Sequence, residues 1–156
     1  MTIIKNMKAI FYSAILLLAL SMQAFAQDGP IFKKGEKAPN VHHTGNVWLI
    51  ELNHPDSVFT YGTSVAIFDP GAKLDWHMHP GGQILIITQG IGYYQEKGKP
   101  RQVVKKGEVV KCLPGVEHWH GATPESGVTY IATSPSEKGK TVWLHKVSDK
   151  EYGGKQ

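Results

Sequence analysis

Cysteine is nearly absent. Cys112 is the single one in 156 residues, so no disulfide framework can staple the chain, and stability must come from a packed core. Cys112 sits in an apolar, strand-like run with no acid–base arrangement beside it, which reads as a small core residue rather than a nucleophile. A strong excess of one charge is also missing: 17 Lys and Arg face 13 Asp and Glu, for a net charge of +4. No basic stripe is interleaved with aromatics, so nucleic acid is excluded as the expected partner. Lys33-Lys34 and Lys105-Lys106 read as solvated turn residues. Long apolar runs are lacking too. The one from Ile10 to Leu20, interrupted by Ser13, is shorter than the roughly 18 residues that a membrane span needs. Helical periodicity is confined to Ser148–Tyr152, barely one turn, and no internal repeat is visible, so a single domain is expected.

What is present begins with an export pattern. Lys5 and Lys8 precede the apolar run, and Ala24-Phe25-Ala26 places small residues at the two positions that a signal peptidase reads. Residues 1–26 are therefore expected to be a signal peptide, giving a mature chain that starts near Gln27, is secreted across the inner membrane into the periplasm and has no stable membrane insertion. Without Lys5 and Lys8 the balance is 15 basic against 13 acidic residues, or +2. Residues 27–45 carry Pro30 and Pro39 and read as an N-terminal arm. Short strand-like runs follow at 46–52, 63–68, 74–79, 83–88, 91–95, 102–105, 109–113, 127–132 and 141–146, separated by Gly, Pro, Asp and Asn. Strands at this spacing indicate an all-β sandwich or barrel, here over 46–147 with a C-terminal tail at 148–156.

Four side chains stand out by type and spacing. His77 and His79 are two apart on a strand, so they leave the same face. Gln83 follows the Pro80-Gly81-Gly82 turn, which returns the next strand beside the first. His118 comes just after the Pro114-Gly115 turn. Three imidazoles and one side-chain carbonyl oxygen make a mixed nitrogen and oxygen site for one divalent ion, with Mn, Fe, Co, Ni and Zn all competent. Gln83 is neutral, so the ion keeps its full charge and acts more strongly as a Lewis acid. His120 lies two residues after His118 and faces the same interior. Trp76 and Trp119 each flank a ligand, so they point away from the ion, towards packing between sheets or across a dimer interface. His42, His43, His54 and His145 read as surface or interface residues.

The spacing Gly71-x5-His77-x-His79-x3-Gln83-x6-Gly90 resembles the first cupin motif at every position, with Gln where Glu is usual. Gly107, Pro114, Gly115 and His118 resemble the second motif, with Leu113 at the usual proline position and Ala122 at the terminal asparagine. The resemblance implies a cupin jelly-roll β-barrel (a double-stranded β-helix). The segment 117–122, the Gly82-Gln83 pair and the tail 146–152 are similar to small bacterial cupins that include manganese-dependent (R)-hydroxynitrile lyases and cupins described with carboxymuconolactone decarboxylases. That similarity implies manganese at His77, His79, Gln83 and His118, and lyase chemistry at a carbonyl carbon of a small-molecule substrate. It places Tyr130 where those lyases carry a histidine base, so His120 and Tyr130 are the expected catalytic residues. An Fe-dependent dioxygenase and a non-catalytic periplasmic small-ligand-binding cupin are the alternatives. The apolar runs 84–87 and 109–113 alternate poorly, which implies strands buried on both faces and a homodimer.

Overall fold

Period-two alternation governs the longest strand, β7 (Gln83–Glu96), in which Leu85 and Ile87 are buried while Ile84 and Ile86 face outward. The computed structural model describes residues 30–153; the segment 1–26, read above as a signal peptide, lies outside them. No helix among the described residues is long and apolar enough to cross a membrane. The other strands are β1 (Glu36–Lys37), β2 (His43–Thr44), β3 (Val47–Asn53), β4 (Tyr61–Phe68), β5 (Lys73–Leu74), β6 (His77–Met78), β8 (Gln102–Lys105), β9 (Val109–Cys112), β10 (His118–Ala122), β11 (Val128–Pro135) and β12 (Val142–Trp143), followed by the short helix α1 (Asp149–Gly153). All pairings are antiparallel. The main path runs β1-β3-β4-β11-β7-β10-β5-β2, with β8 and β9 on β7, and β6 between β10 and β12. This is the expected all-β jelly roll, a sheet curled into a barrel around an interior core.

β7 belongs to both halves of the curl. Its first part pairs with β11 and β9, and its last part pairs with β10 and β8. The two runs expected at 83–88 and 91–95 are thus one strand of 14 residues. The reason is local: Gly90 has φ +76 and bends the chain without reversing it. A Cβ there would meet the Gly127 carbonyl oxygen at 1.9 Å, so only glycine lets the strands approach this closely. A register shift opposite Thr129 and Tyr130 marks a bulge beside the bend. The run expected at 74–79, by contrast, splits into β5 and β6. Asp75 N–H donates to His42 O and Trp76 N–H to His145 O, both at 2.9 Å, so two flanking segments interrupt the ladder.

The core holds Phe68, Leu85, Ile87, Tyr94, Val128 and Tyr130. A second cluster, Trp76, Trp119 and Val147 with Tyr93 and Tyr152 against it, lies under the C-terminal segment. Tyr152 OH donates to Ala122 O at 2.9 Å, and Trp76 Nε1 donates to Glu151 Oε1 at 3.2 Å. These contacts explain why all five residues of β10 are buried. They also correct the expected role of the two tryptophans, which pack beneath the chain's own tail. His43, expected at the surface or at an interface, is buried within the chain, with both ring nitrogens bonded to backbone carbonyls of Gly45 and Pro39. The outer face of β7 and β9 is not covered within the chain: Ile84 is 41%, Ile86 38% and Val109 55% exposed.

Gly90→Ala should cost well beyond the roughly 1–2 kcal/mol of a left-handed non-glycine residue. Gly98→Ala shares the positive φ (77) but meets nothing within 4 Å, so it should cost only that penalty. Chemical denaturation of the pair measures the difference; equal losses would mean that the Gly127 carbonyl moves aside freely.

Candidate metal centre

Strand register brings the ligands together. His118 on β10 stands opposite His77 on β6 and opposite Glu96 on β7, while His77 stands opposite Trp143 on β12. Residues directly opposite on paired strands share a face, so Trp143, His77, His118 and Glu96 form one row across the sheet. His79 follows at the end of β6, and the turn behind it closes through Gly82 N–H to His79 O at 3.0 Å. The ligand atoms of His77, His79 and His118 lie within 4.8 Å of one another, and all three residues are buried.

Each ring is aimed by its Nδ1. His77 Nδ1 bonds Asp75 O at 2.8 Å, and His118 Nδ1 bonds Val116 O at 2.9 Å. A carbonyl only accepts, so each Nδ1 carries the proton and each Nε2 keeps its lone pair. His79 Nδ1 is 3.2 Å from Thr141 Oγ1. Trp143 backs His77 at 4.9 Å between ring centroids and stacks at 4.6 Å on His42, which adopts φ +60. The Nε2 atoms of His79 and His118 and the Oε1 of Gln83 are buried without a hydrogen-bond partner. Such orphans are rare because each costs about 1–3 kcal/mol. Two imidazole nitrogens and one amide oxygen left free beside the His77 ring, whose ligand atom lies within 4.8 Å of those of the other two histidines, fit a divalent ion.

Burial depresses the basicity of these rings, with mutual repulsion second. The His77 pKa falls to about 3, lowered by burial and then by His118, against a smaller rise from its bond to Asp75. His79 falls to about 4 through burial and His118, opposed by the Gln83 side chain. His118 is lowered by burial, opposed by its Val116 bond and by Glu96. All three are neutral at pH 7, the form that binds metal.

His120 sits one row deeper. Its ring centroid is 5.2 Å from those of both His77 and Tyr130, and it lies outside the three-histidine group. Both His120 nitrogens and the Tyr130 OH are buried without partners. Burial, then His77, His118 and His79, hold His120 well below its usual pKa, while burial holds Tyr130 well above 10. Cys112 is buried in the core with its thiol pushed up to about 12, chiefly by burial. A cavity of about 770 Å³ opens from solvent onto His79 and Gln83, past Thr141, Ser64 and Ser134. Thr141, Glu96 and the two serines belong to no motif. Only the fold brings them to the site; His54 and His145 stay exposed and away from it.

Fold and site together define a jelly-roll barrel with an interior built from histidines. Residues 64–133 match the cupin domain family. An (R)-mandelonitrile lyase of Granulicella tundricola is 41% identical over 118 residues, covering 74% of this chain and 89% of that protein. A cupin-like protein of Thermotoga maritima superimposes with a TM-score of 0.77 at 44% identity, over 80% of this chain and 95% of its own. A cupin-2 domain protein of Rhodospirillum rubrum shares the fold at TM-score 0.60 and 14% identity, over 76% of each chain. The chain belongs to the cupin family.

In ion-free protein, the neutral rings make stability depend on pH. His77 and His79 titrate near about 3 and about 4 when folded, against 6.5 in the reference state. Below pH 6.5 the unfolded chain therefore binds protons that the folded chain refuses. Stability should be full above pH 6.5 and decline as pH falls towards 4, by up to about 1.4 kcal/mol per pH unit for each ring. At pH 7, an ion at a hundred times its Kd should add about 2.7 kcal/mol. Thermal melts with Mn, Fe, Ni and Zn check this, and no shift with any of them would sink the metal assignment.

Proposed function

We propose that this cupin is a metal-dependent lyase acting at a carbonyl carbon of a small organic substrate, in the manner of a hydroxynitrile lyase. His77, His79, Gln83 and His118 would hold one divalent ion per chain, manganese first. When bound, that ion supplies a Lewis acid, undiminished by the neutral Gln83, that polarises a substrate oxygen and acidifies a hydroxyl on it. The observation that carries the reading is His120, a buried imidazole with neither nitrogen partnered, set between His77 and Tyr130. The name of the 41% identical relative supports the same chemistry.

A depressed pKa keeps His120 neutral, with a lone pair to accept a proton and an N–H to donate. In cyanohydrin cleavage it takes the hydroxyl proton as the carbon–carbon bond breaks. The bonding pair leaves with cyanide, and the proton follows to give hydrogen cyanide. Tyr130, held well above 10, keeps its proton and serves as a hydrogen-bond donor rather than a base. We further propose export with removal of residues 1–26, and a homodimer in which a second copy covers the outer face of β7 and β9.

Manganese-loaded protein should release cyanide from mandelonitrile faster than free Mn(II), and His120→Ala should slow it about 10²–10⁴-fold. Tyr130→His, which supplies the histidine of the similar lyases, should raise the rate. If neither the native chain nor Tyr130→His exceeds free Mn(II) with mandelonitrile or with the cyanohydrin of glycolaldehyde, the lyase reading fails. Light scattering at micromolar concentration should give a dimer for the native chain and a monomer for Ile86→Lys; a native monomer would refute the pairing.

A further inference from the structure

The walls above Tyr130 bear on which substrate the site takes. On the inner face of β4 and β11, Tyr130 stands opposite Ala66, then Ala132 opposite Ser64, then Ser134 opposite Gly62. Moving outward along these two strands from Tyr130, the first polar side chains on this wall are therefore Ser64 and Ser134. They are diagonal neighbours, roughly 7–8 Å apart along the backbone. Both line the cavity that ends on His79 and Gln83. Of the other hydroxyls lining it, Thr141 is engaged with His79 and Thr63 donates to Thr133. Ser64 and Ser134 are thus left for a ligand among the described residues. No phenylalanine, tyrosine or tryptophan lines this cavity.

Resting on the lyase reading above, we infer that the substrate carries a hydroxylated substituent beside its reacting carbon, and not an aryl ring. Ser64 and Ser134 receive that substituent. A phenyl group placed here would cover both hydroxyls without pairing them, and one such unpaired hydroxyl weakens binding by about tenfold. It would also find none of the aromatic walls that usually hold such a ring. A substrate hydroxyl between the two serines satisfies both.

The test uses zinc-loaded protein, with loading established by metal analysis, and isothermal titration of lactate, glycerate and mandelate. All three present the same α-hydroxycarboxylate and differ only in methyl, hydroxymethyl or phenyl. Glycerate should bind roughly fivefold or more tighter than lactate, and tighter than mandelate. Ser64→Ala/Ser134→Ala should abolish the margin of glycerate over lactate. Mandelate binding as tightly as glycerate to the native protein overturns the inference, whether or not the double variant folds. A margin that survives in a folded double variant overturns the role of the two serines. Equal binding of all three removes this inference alone and leaves the lyase reading standing; binding of none, with zinc in place, removes both, because the lyase reading needs a substrate oxygen on the ion.

Discussion

Four imidazoles packed into one barrel interior impose the constraint on which the rest of this protein depends. His77, His79, His118 and His120 are buried within about one ring's width of each other, with centroids 4.4 Å apart for His77 and His118. They tolerate this only while neutral, since a proton on one would be neither solvated nor paired. Backbone carbonyls of Asp75 and Val116 hold two of the Nδ1 protons, which sends the lone pairs inward. What is left is a set of unfilled nitrogens and oxygens that a purely structural core would not keep. Folding therefore builds a ligand site in the act of building a core, and binding and stability become linked.

The scaffold serves this constraint through few devices. β7 carries Gln83 at one end and Tyr94 and Glu96 at the other, and the bend at Gly90 lets this one strand face the site from both halves of the barrel. Tyr94 lies beside His118, with ring centroids at 5.6 Å, and its OH donates to Glu96 at 3.2 Å. On the far side, the tail closes over Trp119, so β10 is buried on both faces and its two histidines are held without slack. Trp143 wedges between His42 and His77. Each device joins residues distant in sequence, and each limits ring movement where lone pairs must converge.

The arrangement also separates two chemical roles by environment. The ligand atoms of the upper three rings lie within 4.8 Å of one another, and the cavity opens onto His79 and Gln83. His120 and Tyr130 form a deeper layer whose pKa values are driven in opposite directions, one well down and the other well up. Neutral base and retained phenol are thereby set apart without any carboxylate in the pair. Glu96, opposite His118 on the paired strand, acts as an opposing influence on that ring.

Much was legible before the fold was known, because it rests on local chemistry. Short strand-like runs separated by Gly, Pro, Asp and Asn announced an all-β chain, and His77-x-His79 placed two rings on one face by strand geometry alone. His118 and His120 repeat that logic. Other features are sums over non-local contacts. Gly90 reads as a turn until the approach of Gly127 makes it a bend, and His43 reads as a surface or interface residue until Pro39 and Gly45 close on it. Trp119 needs the tail to be buried, and Thr141, Ser64 and Ser134 reach the site only through the register of β12, β4 and β11. The identity and spacing of the metal-competent residues were therefore determined by the sequence itself, since a strand fixes where alternate side chains point. Which of their atoms are left unpaired, and what wall faces them, only the tertiary structure decided, because burial and cross-strand register depend on the whole barrel being closed.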